Sequence, residues 1–347
     1  MFDLLPEIYV PAFELTVDHV PLPPEILRSV VEITVTERLD PPAQFGFRFF
    51  DPAMMLIDPA AGLITEGSYV EIKMGYVDAT MKMITGEITA LSVDLPDSGP
   101  PSVYAEGLDL LHRLTRGTTY RWFPERDSDI VKQLAEEMEL KAQTDETAER
   151  TGMRAQNNIT NLKMIEELAG ANNFSFWIEE DKLFFMKERP APNTLQLAWG
   201  KTLMSFSARL SLAGQVMAAE VRGWDEVQKQ EVVGRAERLP SELAALAPPA
   251  QVMIAKGAGK SSVITTDAPG VTDAGQAQQM AENMLGEQRS MLLEASGVSV
   301  GLPDLHAGTH LELSGNGRFA GTYIAAQVTH TLGQSGYQTS FQARRKW

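Results

Sequence analysis

Cysteine is absent from all 347 residues, which excludes thiol nucleophiles, thiolate metal sites and disulfides together. Basic residues are scarce: 30 Lys and Arg stand against 46 Asp and Glu, for a net charge of -16 and a pI near 4.8. Such a field repels nucleic acid and anionic membrane, so neither specific nucleic-acid binding nor a direct membrane anchor is expected. Long apolar runs are missing too, since no stretch approaches the roughly 18 residues of a membrane span. The opening MFDLLPEIYVPAF has no basic region ahead of its apolar residues, and cytoplasmic synthesis of a soluble protein is expected. Aromatic residues make up only 7% of the chain. What remains is an ordinary globular composition, 44% hydrophobic and 22% charged, incompatible with disorder or a collagen-like repeat. Its length suggests two or three domains.

The first 110 residues read as β structure. Val31, Ile33 and Val35 alternate with Glu32, Thr34 and Thr36; Phe45, Phe47 and Phe49 follow at the same period; then Val70, Ile72 and Met74 alternate with Tyr69, Glu71 and Lys73. A further run from Met83 to Ala90 and a last one near Val103 to Ala105 complete a meander expected to close into a first β-barrel over residues 1–110. Acid is concentrated here, with 18 Asp and Glu against Arg28, Arg38, Arg48, Lys73 and Lys82, a balance of -13.

Residues 111–194 change period and predict an α/β domain. Asp127 or Ser128 is placed to cap a helix with a core stripe of Ile130, Leu134 and Met138; Thr160 or Asn161 is placed to cap another on Leu162, Ile165 and Leu168, stopped by Gly170. Phe174, Phe176 and Ile178 then alternate, a polar run turns, and Leu183 to Met186 returns as a hairpin. Beyond the breakers Pro190 and Pro192, alternation at Met204 to Leu210 and at Met217 to Val221 predicts a second β-barrel over 195–225 plus 295–347. Residues 226–294 interrupt it as an inserted region, with a Pro- and Ala-rich loop from Pro240 to Pro249 and a helix capped by Thr272 or Asp273. The predicted fold class is therefore mainly β with α/β insertions, built on two similar antiparallel barrels. A faint repeat supports the similarity: Gly67 to Ile72 (GSYVEI) resembles Gly308 to Leu313 (GTHLEL), each followed by a glycine-led strand and a closing strand.

Several short motifs suggest chemistry and fail on context. Gly315-Asn-Gly317-Arg-Phe-Ala320 fits a loose dinucleotide pattern, but a strand follows where a phosphate-binding helix is required. Gly259-Lys260-Ser261 and Gly200-Lys201-Thr202 end like phosphate-binding loops, yet Ile254 and Leu195 replace the leading glycine. His306 and His310 have the spacing of two zinc ligands on a helix, but Ala307-Gly308-Thr309 brings no catalytic Glu and a helix breaker. Ser314 has Glu312 where a nucleophile elbow needs glycine. No catalytic, cofactor-binding or metal-ligating residue is assigned, no cofactor is expected, and the chain reads as a non-enzyme.

Several segments, in order, resemble a known family. Asp127-Ser-Asp-Ile-Val-Lys-Gln-Leu-Ala135, then Asn161-Leu-Lys-Met-Ile-Glu-Glu-Leu-Ala169 leading into the hairpin, are similar to the helix and helix-hairpin of the phage late control gene D family. So are Gly200 to Phe206, Val221-Arg-Gly-Trp-Asp225, and the tail from Gly301 through Thr329-His-Thr-Leu-Gly333 to Phe341. The resemblance implies the central baseplate hub of a contractile phage tail or injection system, related to the hub half of type VI secretion spikes. It further implies a homotrimeric ring of pseudo-sixfold character joining a sixfold inner tube, through a tube-facing first barrel, to a trimeric spike, among other baseplate proteins. Two copies of one fold per chain are what that symmetry mismatch requires. Because the chain stops soon after its closing strand, the spike is expected on a separate polypeptide, and the assembled particle is expected to serve as a virion component or outside the cell. The alternatives are a tail-associated peptidoglycan hydrolase and a β-rich carbohydrate-binding module.

Overall fold

The computed structural model describes residues 10–39, 42–56, 63–149, 152–187, 194–225, 228–238, 263–268, 271 and 273–346. The period-two alternation of the first segment becomes β1 (Pro11–Val17), β2 (Val20–Pro21), a one-turn helix α1 (Pro24–Leu27), β3 (Val30–Arg38), β4 (Gln44–Phe50), β5 (Tyr69–Tyr76), β6 (Ala79–Asp94) and β7 (Ser102–Asp109). One face of these strands turns Ile33, Val35, Phe45, Phe47, Phe49, Val70, Ile72 and Met74 into a common core. Burying each such side chain contributes about 1.5–3 kcal/mol, which fixes the register because a one-residue slip would expose the whole set.

A 3-10 turn (Leu110–Thr115) leads into β8 (Thr119–Phe123), α2 (Asp127–Glu136), β9 (Lys141–Thr144), β10 (Arg154–Ile159), α3 (Asn161–Asn172), β11 (Ser175–Glu179) and β12 (Lys182–Met186). The hairpin β11–β12 forms as expected, and β9 joins it in parallel. Helix ends differ in detail from expectation. The N-cap of α2 is Arg126, which makes no side-chain cap bond; Asp127 lies inside the helix, where its carboxylate accepts from Arg154 at 2.9 and 2.8 Å and from Asn172 at 2.7 Å. Ser128 is engaged with Thr147 instead of capping. Thr160 does cap α3, accepting from Lys163 N at 3.1 Å. Gly170 does not end that helix, which runs to Asn172 and closes on Asn173 in the left-handed region at φ 55°.

The remaining elements are β13 (Thr194–Ala198), β14 (Leu203–Leu210), β15 (Ala218–Asp225), β16 (Gln230–Glu237), β17 (Val263–Asp267), α4 (Ala274–Ser290), β18 (Leu293–Val300), β19 (His310–Ser314), β20 (Gly321–Gly333) and β21 (Gly336–Arg345). Asp273 caps α4 by accepting from Gln276 N at 2.9 Å. Pro190, Pro192, the Pro240 to Pro249 loop and Thr272 lie outside the described residues. Residues 218–225, expected in the second barrel, form β15 and pair with β16 and β17 in a separate three-stranded sheet. Their small, doubly buried side chains Ala218, Ala219 and Val221 suit a strand covered by α4 through Ala281 and Leu285.

Strands β8 and β10 form a two-stranded sheet, and the thirteen strands outside the α/β elements form one sheet whose pairing order repeats. In the first half the neighbours run β3-β4-β7-β6-β5-β1; in the second they run β14-β18-β21-β20-β19-β13. Irregularities repeat as well. A bulge between Val30 and Glu32 in β3 has its counterpart between Leu203 and Ser205 in β14, and one between Ile88 and Ala90 in β6 has its counterpart between Ala325 and Gln327 in β20. Bulges redirect a strand, so matching ones mean that the two halves bend alike. By these registers Gly86 corresponds to Tyr323, whereas the glycine-led repeat set it against Gly321, two residues earlier. The outermost strands differ: β1 runs antiparallel to β5, and β13 runs parallel to β19. Each half has an apolar core, the second centred on Leu203, Leu311, Tyr323 and Phe341, while the first also takes in Leu332 and Tyr337 from the second half. The halves are nonetheless one sheet, because β20 pairs with β3 from Gln327↔Arg38 to Gly333↔Glu32. Among the described residues no helix is long and apolar enough to cross a membrane.

Candidate functional site

The seam between the halves carries a buried polar network. Alternation along β20 puts Val328, His330 and Leu332 on one face, so that His330 enters the interior beside apolar neighbours. Its Nε2 lies 2.9 Å from the Leu305 carbonyl, which only accepts, so Nε2 carries the proton and Nδ1 accepts from the Tyr337 hydroxyl at 2.9 Å. Burial pushes the imidazole down to about 4. Next to it His306 Nδ1 meets Glu37 Oε1 at 2.8 Å, and Ala307 N donates to Glu37 Oε2 at 3.2 Å. Burial raises the Glu37 carboxyl, but these bonds and the histidine charge outweigh it and hold it below the usual range. The Tyr76 hydroxyl crosses the seam to the Gly301 carbonyl at 2.9 Å.

A cleft of about 910 Å³ opens beside this network, lined by Glu37, Asp109, Lys82, Trp177, Asp181 and His306 among others. Burial pushes Asp109 up to about 7, against the pull of the amides of Ala43 at 2.8 Å and Leu111 at 3.0 Å. Shifted carboxylates in a cleft are the usual mark of acid-base chemistry. Here both oxygens of Glu37 and both of Asp109 are engaged by groups that hold the fold, which suits a structural role for the pair.

The sequence motifs that suggested chemistry are dispersed. His306 faces Glu37, whereas His310 lies on β19 with its Nε2 3.5 Å from Lys346 Nζ. Among the described residues no group of three His, Asp or Glu side chains is arranged to hold a metal ion. Gly315 and Gly317 have φ of 80° and 59° in a turn followed directly by β20. Gly200 turns at φ 76° between β13 and β14, where Thr202 accepts from Ala198 N. Gly259, Lys260 and Ser261 lie outside the described residues. Ser314 ends β19, and the Phe45, Phe47 and Phe49 rings are core. Tyr120 and Trp122 on β8 are exposed, and their rings meet edge to face at 89° rather than as one coplanar surface.

Among the described residues, two of the open strand edges belong to corresponding places in the two halves. Beyond Ile88, whose backbone bonds to Ser68, β6 continues to Asp94 with β7 on one side and no partner on the other among the described residues. Strand β14 likewise pairs with β18 on one side, and on the other, among the described residues, only Leu203 at its start is bridged, to Trp199. Val93, Leu95 and Met204 are 42%, 58% and 53% exposed along these edges. Sequence reasoning found the strands and missed the edges, since pairing partners at long range leave no local pattern.

This mainly β fold is shared with solved tail proteins. The 43 kDa tail protein of prophage MuSo2 from Shewanella oneidensis superposes with a TM-score of 0.73 at 13% identity, covering 96% of this chain and 98% of that one. A tail protein from Neisseria meningitidis MC58 gives 0.69 at 14% identity, with 97% of each chain covered. The c3393 protein of Escherichia coli, a component of the type VI secretion system, gives 0.60 at 13% identity over 96% of this chain and 77% of that one. Residues 60–334 match the family described as the Alg8 N-terminal domain, and the chain belongs to that family. No curated protein matches the sequence.

Proposed function

We propose that this protein is the structural hub of a contractile tail or injection-system baseplate, of the kind the late control gene D resemblance implies. Three copies form a ring of pseudo-sixfold character that meets a sixfold inner tube on one face and a trimeric spike on the other. The observation that carries this reading is the repeated strand order with its matching bulges, because a chain that offers one fold twice gives a threefold ring six quasi-equivalent positions. A structural rather than catalytic role is favoured by the cleft carboxylates, whose oxygens are taken up by backbone and histidine partners. Assembly takes place in the cytoplasm, and the finished particle carries the hub as a tail or baseplate component. Co-expression with neighbouring tube and spike genes, followed by affinity capture, tests the proposal. Recovery of tube and spike with the protein supports it, and lysis of peptidoglycan by the purified chain overturns the non-enzymatic part.

A further inference from the structure

We propose that the open edge of β6 in one copy pairs with the open edge of β14 in the next, in the register by which β20 pairs with β3 inside each chain. The proposal rests on the hub reading for the number of copies, but its register comes from the fold alone. Matching bulges make β20 the counterpart of β6 and β14 the counterpart of β3. Within the chain the first half's β3 is already covered by the second half's β20. The complementary edges are those left over: β14 ends the sheet, and β6 beyond Ile88 extends past the part that β5 covers.

Transferring the register sets Leu91 opposite Leu210, Ser92 opposite Arg209, Val93 opposite Ala208 and Asp94 opposite Ser207. The side chains then sort correctly by face. Leu91 and Val93 fall on the side of Leu210 and Ala208, just as buried Val328 and His330 meet Glu37 and Val35 on the internal seam. On the other face Asp94 lies diagonal to Arg209, an opposite-charge pair within reach across antiparallel strands. Neither side chain makes an ion pair among the described residues. The β6 edge is lightly protected for an unpaired strand: Ala90 to Asp94 holds no Lys and no Pro, its one charge is Asp94, and Val93 is exposed. A contact between unlike edges is head to tail, so it propagates until a ring closes.

The absence of native cysteine allows a direct test with the full-length chain. Val93→Cys and Ala208→Cys variants are mixed under mild oxidation. Directly opposed residues on paired strands lie within disulfide range, so the mixture should cross-link, at least about tenfold more than either variant alone or than Val93→Cys mixed with Phe206→Cys. Separately, Asp94→Arg should weaken self-association measured by sedimentation, and adding Arg209→Asp should restore it. A trimer by native mass spectrometry with no in-register cross-link overturns this pairing and leaves the hub reading standing. In-register cross-links in an open ladder uphold the pairing and contradict the trimer. Absence of both cross-link and association, equal cross-linking in the shifted register, or no rescue by the charge swap overturns the pairing.

Discussion

His330 and Asp109 flank one seam and titrate in opposite senses. His330 falls to about 4 on burial from an ordinary 6.5, so the unfolded chain takes up a proton first, and stability is lost as pH falls from 6.5 towards 4. That loss is on the order of 3 kcal/mol at one pKa unit per 1.36 kcal/mol. Asp109 rises from 3.8 to about 7, so its contribution is complete in acid and lost as pH climbs through 7. Between 4 and 6.5 the two slopes oppose each other. The Asp109→Asn variant should therefore lose stability on acidification from pH 6.5 to 4.5 more steeply than the parent, as measured by urea denaturation; parallel slopes would contradict this. A second residue-scale expectation concerns Phe47, which is fully buried between Phe45 and Phe49: Phe47→Ala should cost about 3–5 kcal/mol in the same assay. Period two alone placed Phe47 in the core. It also placed His330 on an apolar face, but its partners Leu305 and Tyr337 and the Glu37–His306 pair come from loops and strands distant in sequence, so no local pattern announces them.

Helices and strands were legible where a periodic stripe ran long enough, and their ends only in part: Thr160 and Asp273 cap as the sequence offered, whereas Asp127 and Gly170 do not end their helices. Thr160 caps α3 through its own side chain, and Thr160→Ala should cost about 1 kcal/mol in thermal unfolding. Asp127 looked like a cap for the same compositional reason, yet Arg154 and Asn172 draw it into a buried tie between α2, β10 and α3. A long-range partner overrode a local preference there. The same holds for β15, whose alternation resembles that of any strand but whose neighbours are β16 and β17. Gly234 on β16 shows why α4 can cover that sheet: a Cβ there would stand 2.0 Å from the Ala277 backbone. Gly234→Ala should push the helix away and cost roughly 1–3 kcal/mol, visible as a lowered Tm. An unchanged Tm would mean that α4 does not pack so closely.

At the scale of the whole molecule, the faint sequence repeat understated the duplication. Only two short segments look alike as sequence, because antiparallel strands share a pattern rather than particular residues. Pairing order and bulge positions preserve the likeness. They also separate what is duplicated from what is inserted. One α/β unit stands between β7 and β13, and the other between β14 and β18, where the first half has only the short connection from β3 to β4. Charge is divided unequally between the halves, with -13 carried by residues 1–110 and a mildly basic tail in which Arg318, Arg344, Arg345 and Lys346 exceed Asp304 and Glu312. Much of that acid is locally engaged: Glu14 and Glu71 pair with Lys73, and Glu87 meets Arg113 and His112. Glu25, Glu66, Asp78, Asp97 and Glu106 are left on the exposed surface, where, under the proposed ring, their charge would steer one half towards the more basic half of a neighbour. Neutralising Asp97 and Glu106 together should slow assembly at low salt and have little effect at high salt, read by light scattering.

Electron cryo-microscopy of the protein assembled with its tube and spike tests the central claim most directly. The account predicts three copies in one ring, with first and second halves alternating so that a one-sixth turn superposes each half on the next. Two or six copies, or a ring in which like halves adjoin, would contradict it.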